Sequence, residues 1–244
     1  MSGHVNNIDY LVVNDRPLRV VFFGDSICVG QHVSVHRSWV TRISARLEEV
    51  GARHGVPLRV ANASVNGNTT RMALERMPQD VQKDGVDVLI VQFGLNDCNY
   101  WQTDGGVPRV SVSGFAANLE EIVDRGYVFG ASRVLLNTNH PTARDREPLL
   151  FLGEPYERSN ERYNEITRSV ARALGDRVVL TDMEAAFRRQ TGGSRDKLLP
   201  LLQPEPDLLH LSEAGHDLYV EALTPPIEAA VSEAIAVRAA PSAR

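Results

Sequence analysis

Val86-Asp87-Val88-Leu89-Ile90-Val91-Gln92-Phe93-Gly94-Leu95-Asn96-Asp97 is the stretch whose reading decides the fold. Its first part is a nearly continuous apolar run, stopped by Gly94. A run of that kind, rather than an alternating one, suits a strand covered on both faces and hence a parallel sheet. Four shorter runs share the character: Leu18 to Phe23 ending at Gly24, Leu58 to Asn62, Arg133 to Asn137, and Arg177 to Thr181.

Helical periodicity fills the gaps. Trp39, Ile43, Leu47 and Val50 recur at three to four residues, with Gly51 the expected stop. A second helix is predicted from Thr69 to about Val81, interrupted at Pro78. Phe115, Leu119, Ile122 and Val123 mark a third, with Ser113 the expected cap and Gly126 the stop. Tyr156 to about Leu174 is a fourth. The C-terminal part reads as a helix from Ser212 to about Leu223, then another with Pro225 in its first turn. Strand–helix alternation with right-handed crossovers predicts an α/β protein: a flavodoxin-like three-layer α/β/α sandwich on a five-stranded parallel sheet, order 2-1-3-4-5. That order sets the first and third strands side by side, where ligands bind beyond the carboxyl ends of the strands.

The bulk properties agree. The chain has 244 residues, 43% hydrophobic and 23% charged, which suits one domain. We expect it to span 1–238, with 239–244 a frayed tail. A formal charge of −5 favours no nucleic-acid partner. No apolar run approaches the roughly 20 residues of a membrane span, so no membrane partner is expected. Met1-Ser2-Gly3-His4-Val5-Asn6-Asn7 does not read as a signal peptide, and two cysteines, Cys28 and Cys98, form no disulfide framework. A cytoplasmic protein is expected.

Four segments could carry chemistry. Gly24-Asp25-Ser26-Ile27 follows the first strand; alone, its serine reads as a helix cap. Asn62-Ala63-Ser64-Val65-Asn66-Gly67-Asn68-Thr69-Thr70 follows the second, with the Gly67 N–H ahead of a helix. In Gly94-Leu95-Asn96-Asp97, the Asn96 amide could donate to an oxyanion or close an Asx-turn. Asp207-Leu208-Leu209-His210 places a carboxylate three residues before a histidine, within reach of its Nδ1–H. Each is weak alone. Together they supply a nucleophile, oxyanion donors, an orienting acid and a base.

In that order the chain resembles the SGNH (GDSL) hydrolase family. The matching blocks are Gly24-Asp25-Ser26, Gly67, Gly94-x-Asn96-Asp97 and Asp207-x-x-His210, with Ser38-Trp39 and His210-Leu211-Ser212-Glu213-Ala214-Gly215-His216 as flanking matches. The resemblance covers roughly residues 18–223 and implies the same five-stranded sandwich. It implies catalytic roles for Ser26, Asp207 and His210, and an oxyanion hole of the Ser26 and Gly67 N–H groups with the Asn96 side chain. No cofactor and no metal are implied, and the expected partner is a small-molecule acyl ester. We expect an O-acetylated sugar or similar small polar metabolite. Acyl transfer, thioesterase or lysophospholipase activity by the same residues remains an alternative, as does a non-catalytic binding module.

Further residues are candidates for the rim of the site. His140 follows the fourth strand, and Tyr100 and Trp101 follow the third block; all three could bind substrate. His32 and His36 are expected on the rim, and His216 on a helix face with no role. Arg144, Arg146, Arg158 and Arg162 read either as a clamp for an acidic substrate or as a solvated face balanced by Asp145, Glu147, Glu154, Glu157 and Glu161. Pro148-Leu149-Leu150-Phe151-Leu152 is a candidate lid or contact of a homo-oligomer. Cys28 and Cys98 are expected near one another as two reduced thiols.

Overall fold

The computed structural model describes residues 16–146, 148–149 and 153–239. Five parallel strands form one sheet: β1 (Leu18–Gly24), β2 (Leu58–Asn62), β3 (Val88–Gln92), β4 (Arg133–Asn137) and β5 (Val178–Thr181). Their order is β2-β1-β3-β4-β5, as the sequence predicts. The central strands β1 and β3 are buried at every position, whereas β2 and β5 at the edges are partly exposed. This is why the decisive run carries almost no polar residue.

The helices are α1 (Ser26–Val29), α2 (Trp39–His54), α3 (Thr70–Met77), α4 (Val112–Val128), α5 (Tyr156–Leu174), α6 (Met183–Thr191), α7 (Arg195–Leu198) and α8 (Glu213–Ala239). One layer packs α2 and α6 on α8; the other packs α3 and α5 on α4. The core between them is aliphatic with an aromatic column in which Trp39 meets Phe22 edge-on and tilts against Tyr219. Burying each such side chain stabilises the fold by about 1.5–3 kcal/mol.

Several boundaries differ from the sequence reading, each for a local reason. α2 runs through Gly51 to His54 and is capped by Gly55 in the left-handed region. Gly51 serves close approach instead, because a Cβ there would lie 2.8 Å from the Val56 carbonyl oxygen and 3.0 Å from Leu58 Cβ. α4 is capped by Ser111, whose hydroxyl accepts from the Gly114 N–H, rather than by Ser113. It passes Gly126, which packs beneath Leu89 and Val134. α3 ends at Met77, and Pro78 opens a π-helical turn to Gln82. The two expected C-terminal helices are one, running through Pro225 and Pro226. Pro225 and Pro226 cannot donate to the carbonyls of Glu221 and Ala222, which lie at exposed and half-buried positions where water can serve them. α6 was not expected. It carries its own signals: Asp182 caps it by accepting from the Ala185 N–H, and Gly192 stops it. The N-terminal heptapeptide, Leu150 to Leu152 of the candidate lid, and residues 240–244 of the tail lie outside the described residues.

Candidate active site

Gly24 closes β1 and Ser26 opens α1, a four-residue helix. Gly24 has no room for a side chain: a Cβ would stand 2.5 Å from Cys28 Sγ and 2.8 Å from the Gln92 carbonyl oxygen. Asp25 is wholly buried and caps α1, its Oδ1 accepting from the Ile27 N–H at 3.0 Å. Burial pushes its carboxyl up to about 7. The strand end and the cap leave Ser26 no freedom of position. Its Oγ lies 2.9 Å from His210 Nε2.

His210 belongs to an irregular segment before α8. His210 Nδ1 is 2.7 Å from Asp207 Oδ2, while Asp207 Oδ1 accepts from the backbone N–H groups of Leu209 and His210 at 2.9 and 2.6 Å. One carboxylate therefore orders its own loop and fixes the imidazole. The carboxylate requires Nδ1 to carry hydrogen, so Nε2 faces Ser26 as an acceptor. Burial lowers the His210 pKa against the opposing pull of Asp207, and the nearby charges of His32 and Arg144 lower it further. Burial raises Asp207, but the hydrogen bonds from His210 and Leu209 outweigh it and hold the carboxyl below its ordinary value. An imidazole so placed can take a proton from the serine hydroxyl.

Asn96 and Gly67 border the same region. Asn96 Nδ2 donates to Asp25 Oδ2 at 3.3 Å. Gly67 is in the left-handed region, with φ 74°. Among the described residues, no acceptor takes the backbone N–H of Ser26 or of Gly67. Asp97 holds the loop, its buried Oδ1 accepting from the N–H and hydroxyl of Thr70 at 2.9 and 2.5 Å.

Three further residues lie beside this group, of which the sequence places His32 on the rim and Arg144 in a candidate clamp, while Arg109 carries no sequence signal for its position. Arg109 Nη1 donates to Gly67 O at 3.1 Å and to Asn96 Oδ1 at 3.4 Å, with its guanidinium carbon 3.8 Å from the Trp101 ring centre. His32, at φ 73°, packs edge-on against His210 with centroids 5.1 Å apart, its Nε2 3.7 Å from Asp207 Oδ2. A non-glycine residue at positive φ is uncommon, and it marks how tightly this loop folds back. Arg144 Nε donates to Asp207 O at 2.7 Å. His32, Asp207 and His210 each offer a ligand atom within 4.8 Å of the others. Holding a divalent ion there would require the Nδ1 proton and the Asp207–His210 hydrogen bond to be given up.

His140 is not in the cleft. It is fully buried: Tyr219 Oη donates to Nδ1 at 2.9 Å and Nε2 donates to Leu209 O at 2.8 Å. Burial pulls its pKa down to about 4. Its backbone follows the carboxyl end of β4 as expected, but its side chain turns inward and supports the loop from behind. Tyr100 is almost buried, whereas Trp101 is half-exposed with Arg109 on its ring. His216 is buried too, its Nδ1 accepting from the Trp39 N–H at 3.2 Å. Of the four arginines, Arg158 pairs with Glu161 and Arg162 with Glu154. Cys28 and Cys98 are buried, free thiols, raised above their ordinary pKa by burial.

The GDSL-like lipase/acylhydrolase family model matches residues 22–218. The chain belongs to that family. An arylesterase of Vibrio mimicus is 29% identical over 108 residues, covering 44% of this chain and half the length of that protein. An uncharacterised lipoprotein, YqeF, of Bacillus subtilis is 27% identical over 190 residues, covering 71% of this chain and 74% of its own length. The acetylxylan esterase Axe2 of Geobacillus stearothermophilus superposes with a TM-score of 0.67 at 21% identity, over 86% of this chain and 94% of that one, which speaks for the fold. No described helix is long and apolar enough to cross a membrane.

Proposed function

We propose that the chain hydrolyses carboxylic esters through an acyl-serine intermediate. The hydrogen-bonded series Ser26 Oγ, His210 Nε2, His210 Nδ1, Asp207 Oδ2 carries the reading. Ser26 Oγ attacks the acyl carbon while His210 takes its proton. The tetrahedral intermediate collapses, the ester C–O bond breaks, and His210 returns the proton to the departing alkoxide. Water then attacks the acyl-serine with His210 again as base, releasing the acid and restoring Ser26. Asp207 keeps the imidazole oriented and stabilises the imidazolium. The N–H groups of Ser26 and Gly67 and the Asn96 carboxamide receive the charge that forms on the acyl oxygen; the absence of a described acceptor for either N–H supports this.

The substrate we propose is a small polar acylated metabolite, an O-acetyl sugar being the nearest chemical class. The acetylxylan esterase likeness is compatible with it. Two buried, unpaired thiols support a cytoplasmic setting.

The test is hydrolysis of 4-nitrophenyl acetate by wild type and Ser26→Ala, with mass-spectrometric detection of fluorophosphonate on Ser26. Turnover that falls to background in Ser26→Ala, with the label on Ser26 alone, is expected. Unchanged turnover in a folded Ser26→Ala protein refutes the mechanism.

A further inference from the structure

A cavity of about 420 Å³ opens between the loop leaving β3 and the loop that carries Asp207 and His210. Asn99, three residues beyond Asn96, lines one side. Leu208, within the Asp207–His210 segment, lines the other, and Arg144, Arg146 and Arg195 line it as well. The cavity thus shares both of its loops with the active site.

The arginines are not equivalent. Arg195 is engaged by Asp145 Oδ1 at 3.1 Å and Ala143 O at 3.3 Å, so its charge is largely matched. Arg144 is anchored through Nε to Asp207 O, and among the described residues its terminal nitrogens have no hydrogen-bond acceptor. Arg146 is exposed at the cavity edge. Glu205 is the carboxylate among the described lining residues. Among the described lining residues, two guanidiniums therefore face one carboxylate, in a chain of formal charge −5.

We propose that this cavity is a subsite for an anionic group, a carboxylate or a phosphate, carried on the alcohol side of the ester. The proposal rests on the ester-hydrolase reading above. The alcohol side follows from the chemistry. His210 must protonate the departing alkoxide, so the alcohol lies on the histidine side of Ser26, whereas the acyl oxygen turns toward Gly67 and Asn96. Arg144 and Arg146 suit an oxyanion because the planar guanidinium matches its geometry with paired donors, and the Asn99 amide adds a neutral one. The anion would act on the reaction as well as on binding. Arg144 opposes protonation of His210, and an anion that neutralises Arg144 removes that opposition as the imidazolium forms.

The experiment compares 3-acetoxybenzoate, 3-acetoxyphenyl phosphate and the neutral 3-acetoxybenzamide, with 4-nitrophenyl acetate as control. At least one of the two anionic esters is expected to exceed the amide in kcat/KM by about tenfold or more. Which of them leads identifies the anion. Arg146→Gln should remove most of that advantage, and about 0.5 M NaCl should erode it in wild type. The Ser26→Ala protein, titrated calorimetrically with 3-hydroxybenzoate and 3-hydroxybenzamide, reads the subsite without turnover; the carboxylate is expected to bind more tightly, and Arg146→Gln in that background to abolish the difference. Equal kcat/KM for the anionic and neutral esters in an enzyme active on 4-nitrophenyl acetate overturns the subsite and leaves the hydrolase standing. Failure on every ester refutes the hydrolase reading; the calorimetric comparison then judges the subsite, and equal binding of acid and amide overturns it.

Discussion

Replacing Arg109 by methionine should damage catalysis without damaging substrate binding. Arg109 has only donors, so the atom of Asn96 that it contacts at 3.4 Å must be the oxygen, and Nδ2 is thereby turned toward Asp25 at 3.3 Å and toward the position proposed for the oxyanion. The same Nη1 holds Gly67 O at 3.1 Å. One side chain therefore orients the Asn96 donor through its acceptor end and also holds the Gly67 carbonyl, in the peptide unit next to the one that carries the Gly67 N–H. Methionine keeps an apolar contact with Trp101 and deletes both hydrogen bonds. Complete loss of an oxyanion donor costs about 10²–10³ in kcat, which is the ceiling. A charged hydrogen bond as long as the one to Asn96 falls at the lower end of its class, about 1.5 kcal/mol, or about tenfold in kcat. The assay is 4-nitrophenyl acetate hydrolysis at saturating and limiting substrate, with KM expected within about twofold of wild type. The decisive comparison is a double-mutant cycle with Asn96→Ala. If Arg109 acts through Asn96, Arg109→Met should lose most of its effect in the Asn96→Ala background. Additivity within about 0.5 kcal/mol, or a change confined to KM, refutes the reasoning.

His210 must be neutral to act as base, and its pKa lies below the ordinary 6.5; kcat/KM should therefore rise with pH to a midpoint below 6.5 and be level through neutrality, and a midpoint above 6.5 contradicts the assignment. His32→Ala removes one of the charges that lower His210 but not the burial that is its main cause, so the midpoint should move up without passing 6.5. Tyr219→Phe deletes the hydroxyl that donates to His140 and accepts from Gln92 Nε2 at 2.8 Å; the loss of about 1–3 kcal/mol should lower Tm by several degrees in a thermal scan, and an unchanged Tm refutes the network. Gly24→Ala sets a Cβ against Cys28 Sγ and a backbone oxygen, so destabilisation of about 1–3 kcal/mol in urea unfolding is expected.

The features legible in the sequence are those whose physical cause is local. β3 could be read because both of its faces are covered, and the run Val88 to Gln92 has to satisfy both at once. The Asp207–His210 pair could be read because three residues of chain suffice to join them. Contacts made by folding carry no such mark. Nothing around Arg109 announces that it will reach Gly67, far earlier in the chain, nor around His32 that it will lie on His210. His140 shows the limit of strand-end reasoning: periodicity locates a residue along the chain, but the direction of a side chain past the last paired position depends on partners such as Tyr219, which arrive from another element.

The segment carrying His210 has no regular structure of its own, yet it must hold Nε2 at 2.9 Å from Ser26 Oγ. Its carbonyls explain how. The oxygen of Asp207 accepts from Arg144, that of Leu209 from His140, and that of His210 from the Gln203 N–H at 2.7 Å. Two of these donors lie on the segment that follows β4, a strand to which the proposed reaction assigns no residue. The choice of His140 has a consequence for pH. Its Nε2 can donate to Leu209 and its Nδ1 accept from Tyr219 only as the neutral imidazole of one tautomer. Burial holds its pKa at about 4, so it keeps that form at mildly acidic pH, where an unburied histidine would begin to take up a proton. The base can therefore gain and lose its proton on a support that does not titrate with it.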